Sequence, residues 1–188
     1  MGNVDLDHLN EAIGSLHKHG DVYSYDIDNS RRIKFPRGFL KTLSSNRSFL
    51  SFIDNKKIVE NIAKHMMHRD TLHWLWLKTD ITSDARSMII KFQLINLASI
   101  LEAIVKSIYP KMPQKKDNVY NRIDKLQSEN RISNAIDLKN LWYARISIHI
   151  HLTEKNDSIS FSDANYIAWH RSMSILIKEL NDGIQRIK

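Results

Sequence analysis

Residues 84–108 read DARSMIIKFQLINLASILEAIVKSI. Wound as an α-helix, this segment carries apolar side chains on nearly every face. A helix of that kind must be surrounded by other apolar matter. Its apolar-rich part, Met88 to Tyr109, is interrupted by Lys91, Gln93, Asn96, Glu102 and Lys106. Repeated polar and charged residues are costly in hydrocarbon, so the segment reads as a buried core helix rather than a membrane span. Pro110 and Pro113 end it, and the polar linker MPQKKDN follows.

On the C-terminal side, Asn118 opens NVYNRIDKLQSEN, a short amphipathic helix. Ser133 or Asn134 caps the next one, NAIDLKNLWYARISIHIHL. Leu138, Leu141, Trp142 and Arg145 share one face of it in steps of three and four. Its tail, ISIHIHL, is β-branched and alternating, which predicts that the helix loosens there. Thr153 to Ser160 is a polar loop. A last helix is expected over Asp163 to Ile187, with Tyr166, Trp169, Met173, Leu176, Ile177, Leu180 and Ile184 as its apolar stripe. Four helices joined by short loops predict a bundle over 84–188.

On the N-terminal side, residues 1–83 read as a mostly helical extension. Leu6, Leu9, Ile13 and Leu16 predict a helix over Asp5 to Lys18. In VYSYDIDNSRRIKFP, partial alternation predicts an extended arm or short strand at 22–35. Short helical turns follow over Gly38 to Asp54, and a longer helix over Lys56 to Leu77. His65 and His68 are neighbours on that helix, but His73 sits off their line and no third ligand is evident. They read as packing histidines, and no metal or other cofactor is expected.

Composition agrees with an all-α protein. Hydrophobic residues are 42% and charged residues 26%, enough for a real core, and only 5 Gly and 3 Pro interrupt 188 residues. The absence of Cys removes disulfides, thiolate catalysis and Cys-ligated zinc. The N-terminus lacks the basic and apolar blocks of a secretory signal, and Leu6 stands where myristoylation wants Ser or Thr, so a cytoplasmic location is expected. Net charge is +7, with 12 Lys/Arg against 10 Asp/Glu up to residue 83 and 16 against 11 after it. A basic surface of this kind attracts phosphate backbones. Arg31, Arg32, Lys34 and Arg37 form a basic loop, either a solvated turn or a set of nucleic-acid contacts.

No Walker loop, GxGxxG, HExxH, EF-hand loop or GxSxG is present. The stretch with chemical potential is 145–151, where Arg145 precedes His149 and His151. Cleaving RNA without a metal needs a base for the 2′-OH proton, an acid for the leaving oxygen and a cation for the phosphorane charge. Histidine titrates near neutrality and serves as either base or acid. Arginine keeps its charge and grips phosphate through a rigid fork. On an ideal helix His149 lies about 40° from Arg145 and His151 about 120° away, so His151 joins the Arg only if the helix ends before it. Glu102 stands in the apolar run LASILEAI and either pairs with Arg145, orienting it, or faces solvent. Trp142 reads as core, with base stacking as its alternative together with Tyr143. His170 and Arg171 read as surface residues.

The segment LKNLWYARISIHIHL, preceded by FQLINLASILEAIVKSIY, resembles the HEPN superfamily over roughly residues 84–188. The family's signature is an Arg followed four to six residues later by a His near the end of a bundle helix. Arg145 matches the motif Arg and His151 the motif His, with five residues between them. The polar residue that often follows the Arg is here Ile146. The resemblance implies a metal-independent endoribonuclease acting as a homodimer, often a toxin or an effector of prokaryotic defence, sometimes restrained by a protein partner. Inactive members that only bind RNA or regulate a partner are the alternative it implies.

Overall fold

The structure, a computed structural model, describes residues 6–19, 40–148 and 161–185. These form seven α-helices and no strand. In order they are α1 (Leu6–His19), α2 (Leu43–Ser48), α3 (Lys56–Lys78), α4 (Ser83–Ile108), α5 (Val119–Ser128), α6 (Ala135–Ile146) and α7 (Asp163–Gln185), with a 3₁₀ turn at Gln114–Lys116. The predicted arm at 22–35 lies outside the described residues.

The chain divides into two compact units, Met1–Pro36 and Arg37–Lys188. In the first, α1 forms where the spacing predicts it, with Leu9 exposed. The second unit takes in α2 and α3, which the sequence reading placed in an extension. The physical reason is plain in the core. Ile62, Met66 and Trp76 of α3 are buried in one cluster with Leu94, Leu97 and Leu101 of α4.

α4 is long and apolar enough to cross a bilayer by length and composition, with a mean hydropathy of 1.7 over its most apolar window. In the fold it packs against α3, α5, α6 and α7. Leu94, Leu97, Ala98, Leu101, Ile104 and Val105 are fully enclosed there. Each such Leu or Ile contributes roughly 1.5–3 kcal/mol relative to exposure. The polar residues that interrupt the run find distinct solutions. Asn96 is buried and closes a two-way link to α3, its Oδ1 2.6 Å from His65 Nδ1 and its Nδ2 donating to the His65 carbonyl at 2.8 Å. His65 thus ties α3 to α4 from an exposed position, and among the described residues no group of three or more metal-capable side chains assembles.

Local chemistry sets the helix ends. Asn55 caps α3 by accepting from the Lys57 and Ile58 amides, and Asn118 caps α5 by accepting from Asn121. α5 stops at Asn130, whose φ of 54° is left-handed, while the Arg131 amide returns to the Leu126 carbonyl at 3.0 Å. That is the Schellman closure, with Asn in place of the usual Gly. Asn134 takes the N-cap position of α6, but its side chain caps nothing and donates to the Ser172 carbonyl of α7 at 2.8 Å. Ser133 bonds Glu179 of α7 through its amide, at 3.0 Å, and its hydroxyl, at 2.5 Å. Both cap candidates therefore serve to pin the α5–α6 turn onto α7.

Candidate functional site

α6 ends at Ile146, before the alternating tail. Ser147 closes it, its amide and hydroxyl both donating to the Tyr143 carbonyl, at 3.1 and 3.0 Å. Arg145 occupies the last turn, where a cation also suits the negative end of the helix dipole. It is half-buried, and its guanidinium carbon lies 5.3 Å from the centre of the Trp142 ring. Among the described residues no carboxylate pairs with it. His149 and His151 lie outside the described residues, as do Arg31, Arg32, Lys34 and Arg37.

Glu102 does not partner Arg145. Its carboxylate takes Lys106, one turn on along α4, at 2.7 Å. A helical i,i+4 partner is local and needs no approach between helices, so it wins at this half-buried edge.

A second constellation, absent from the sequence reading, forms between α3 and α7. His73 Nδ1 and the Tyr166 hydroxyl share a hydrogen bond of 2.7 Å. The His73 and His170 rings stack, 5.3 Å between centres with an 18° tilt. Tyr166 is fully buried, and the edge of Trp76 meets its ring. Next to them Arg69 and Asp70, both buried, form a pair in which Arg69 Nε and Nη2 donate to one oxygen of Asp70 at 3.2 and 2.8 Å. The other Asp70 oxygen accepts from the Lys41 amide at 3.4 Å. At the start of α7, Asp163 is gripped by Arg86 through Nε and Nη2, at 3.2 and 2.9 Å, and by Trp76 Nε1 at 2.8 Å.

The electrostatics follow from burial. His170 is pushed down to about 4, first by burial, then by the Arg69 charge, His73 and Lys41, with Asp70 opposing. Burial and Arg69 also lower His73, against Asp70. Burial pushes the Tyr166 hydroxyl well up. The hydrogen bond from Arg86 holds the Asp163 carboxyl below the usual range, helped by Trp76. Burial and the Arg69 charge thus both favour the neutral form of these two imidazoles.

His170 is half-buried rather than a surface residue, while its neighbour Arg171 is exposed. The signal was in the stripe. His170 stands four residues after Tyr166 and three before Met173, which puts it on the buried face of α7. Arg69 and His73 likewise continue the Ile62–Met66 face of α3. Comparison of the chain with protein-family models, with curated proteins and with solved structures gives no match.

Proposed function

We propose that the chain is a metal-independent endoribonuclease of HEPN type, in which Arg145 holds the phosphorane charge and His151, or His149, moves the proton. The observation that supports it most is the end of α6. Arg145 is held in the last helical turn, and no described carboxylate neutralises it. The helix ends at Ile146, and both histidines follow it in the chain. In the reaction the base takes the 2′-OH proton, O2′ attacks phosphorus, and the O5′ bond breaks as the acid protonates the leaving oxygen. The products carry a 2′,3′-cyclic phosphate and a 5′-hydroxyl.

This reading includes a homodimer. Ile136 and Tyr143, 71% and 54% exposed, are seven residues apart on one face of α6. A second copy docking on that face would cover both side chains, while Arg145, two residues past Tyr143, lies roughly 160° round the helix from it. A toxin or defence effector acting on RNA is the role such an enzyme fits.

Stacking of Arg145 on Trp142 and the half-buried Ile146 favour the rival reading, an RNA-binding or regulatory module in which Arg145 packs rather than acts. Alanine variants at 145, 149 and 151 separate the two. The enzyme reading expects folded variants, with cleavage reduced about 10²–10⁴-fold in one His variant. An Arg145→Ala chain that loses its cooperative melt supports the module instead.

A further inference from the structure

A cleft of about 380 Å³ opens between α3, α7 and the segment leading into α2. That volume is in the range of small-ligand sites, roughly 300–1,000 Å³. We propose that it binds a nucleotide, with Lys41, Arg69 and Lys178 taking the phosphate and Phe49, Met66 and Ile177 supporting the base.

Arg69 is the anchor of this cleft. It is only 7% exposed, yet it lines the cleft. Asp70 uses its Nε and one Nη2 hydrogen, while Nη1 donates to nothing among the described residues. A buried guanidinium with unused donors at a cleft is set to take a tetrahedral anion. Lys178 is exposed on α7 and has no described ion-pair partner, and Lys41 lies over the Phe49 ring at 4.8 Å. Asp182 is the one carboxylate of the lining. It offers an acceptor for a ribose hydroxyl, the role acidic residues play beside bound nucleotides.

The walls are already tied. Asn181 of α7 donates to the Phe49 carbonyl at 2.7 Å and accepts from the Ser51 hydroxyl at 2.8 Å. A cleft held open in this way loses little entropy on binding. His170 lines it too. The groups facing its ring are Arg69, Asp70 and His73 of α3 and Lys41 before α2, with Tyr166 on its own helix. Arg69 outweighs Asp70 there, so the field at the ring is positive. An entering phosphate would offset that field and favour a proton on His170.

The site does not depend on Arg145, and its test is separate. The full chain is titrated calorimetrically at low salt with AMP, adenosine and inorganic phosphate. AMP is expected to bind more tightly than either fragment, with proton uptake below neutrality. Lys178→Glu is expected to weaken AMP about tenfold or more, whereas Lys115→Glu, the same charge change on the 3₁₀ turn, leaves it unchanged. A 2′-O-methyl RNA with a 5′-phosphate, compared with its 5′-hydroxyl twin, then tells an RNA end from a free nucleotide. Adenosine binding as tightly as AMP, no AMP binding at all, or AMP binding untouched by both Lys178→Glu and Lys41→Glu overturns the proposal.

Discussion

Gln93 sits in α4 with none of its surface exposed, and neither its amide oxygen nor its nitrogen has a hydrogen-bond partner among the described residues. Each unsatisfied group forfeits its hydration, at about 1–3 kcal/mol. Gln93→Met keeps the length and removes both groups, so it is expected to stabilise the protein by roughly 1–2 kcal/mol in urea unfolding. A destabilised variant would show that the amide is satisfied in solution. His170 gives the second residue-scale expectation. Its folded value of about 4 lies below the ordinary 6.5, so the unfolded chain binds the extra proton between those limits. Stability from this group is fully present above pH 6.5 and is lost as pH falls toward 4. The slope is at most about 1.4 kcal/mol per pH unit. Replacing His170 by Asn is expected to flatten urea-measured stability across that window, while an unchanged slope would remove His170 as the source.

At the scale of the element, α5 is a ten-residue helix that would not stand alone. Val119, Ile123 and Leu126 face the core, and Arg122, 2% exposed, lies on the same side. Its Nε donates to the Tyr109 carbonyl at 3.0 Å, and its Nη1 reaches Asp117 at 2.5 Å. The guanidinium thus binds the end of α4 to the start of α5. Arg122→Ala is expected to cost about 1–3 kcal/mol, because it takes the donor from the buried Tyr109 carbonyl, while the half-exposed Asp117 carboxylate returns to water. A loss under about 1 kcal/mol in the same unfolding measurement would place the weight of that corner on its apolar contacts. Helix positions were readable because apolar spacing and cap residues are local signals. Asn118 marks the start of α5, and α3, α4 and α7 run within a few residues of the expected spans. What spacing does not carry is the identity of the facing helix. Periodicity gives α3 an apolar face, yet nothing local says that the face meets α4 rather than a separate extension. For the same reason His73 and His170, 97 positions apart in the sequence, were not joined. Arg122 and His170 share a clue, a polar residue on the apolar stripe, and that pattern is where sequence reading should look for sites.

At the scale of the whole molecule, one helix organises the second unit. α4 is walled by four others, and α6 is held on it with its last turn carrying Arg145. In the proposed reaction that position fixes where the cation meets the phosphorane. Net charge of +7 adds long-range attraction for a polyanion, which weakens as salt rises. Arg145 and its position at a helix end were legible from sequence. The Glu102 pairing was not, because an i,i+4 lysine competes and wins. The most direct measurement of the central claim is ribonuclease activity in excess EDTA, with the product ends mapped. The wild-type chain is expected to cleave and leave 2′,3′-cyclic phosphates, with the rate reduced about 10²–10³-fold in a folded Arg145→Ala variant. No cleavage of any of several RNAs, cleavage abolished by the chelator, or full activity in Arg145→Ala would contradict it.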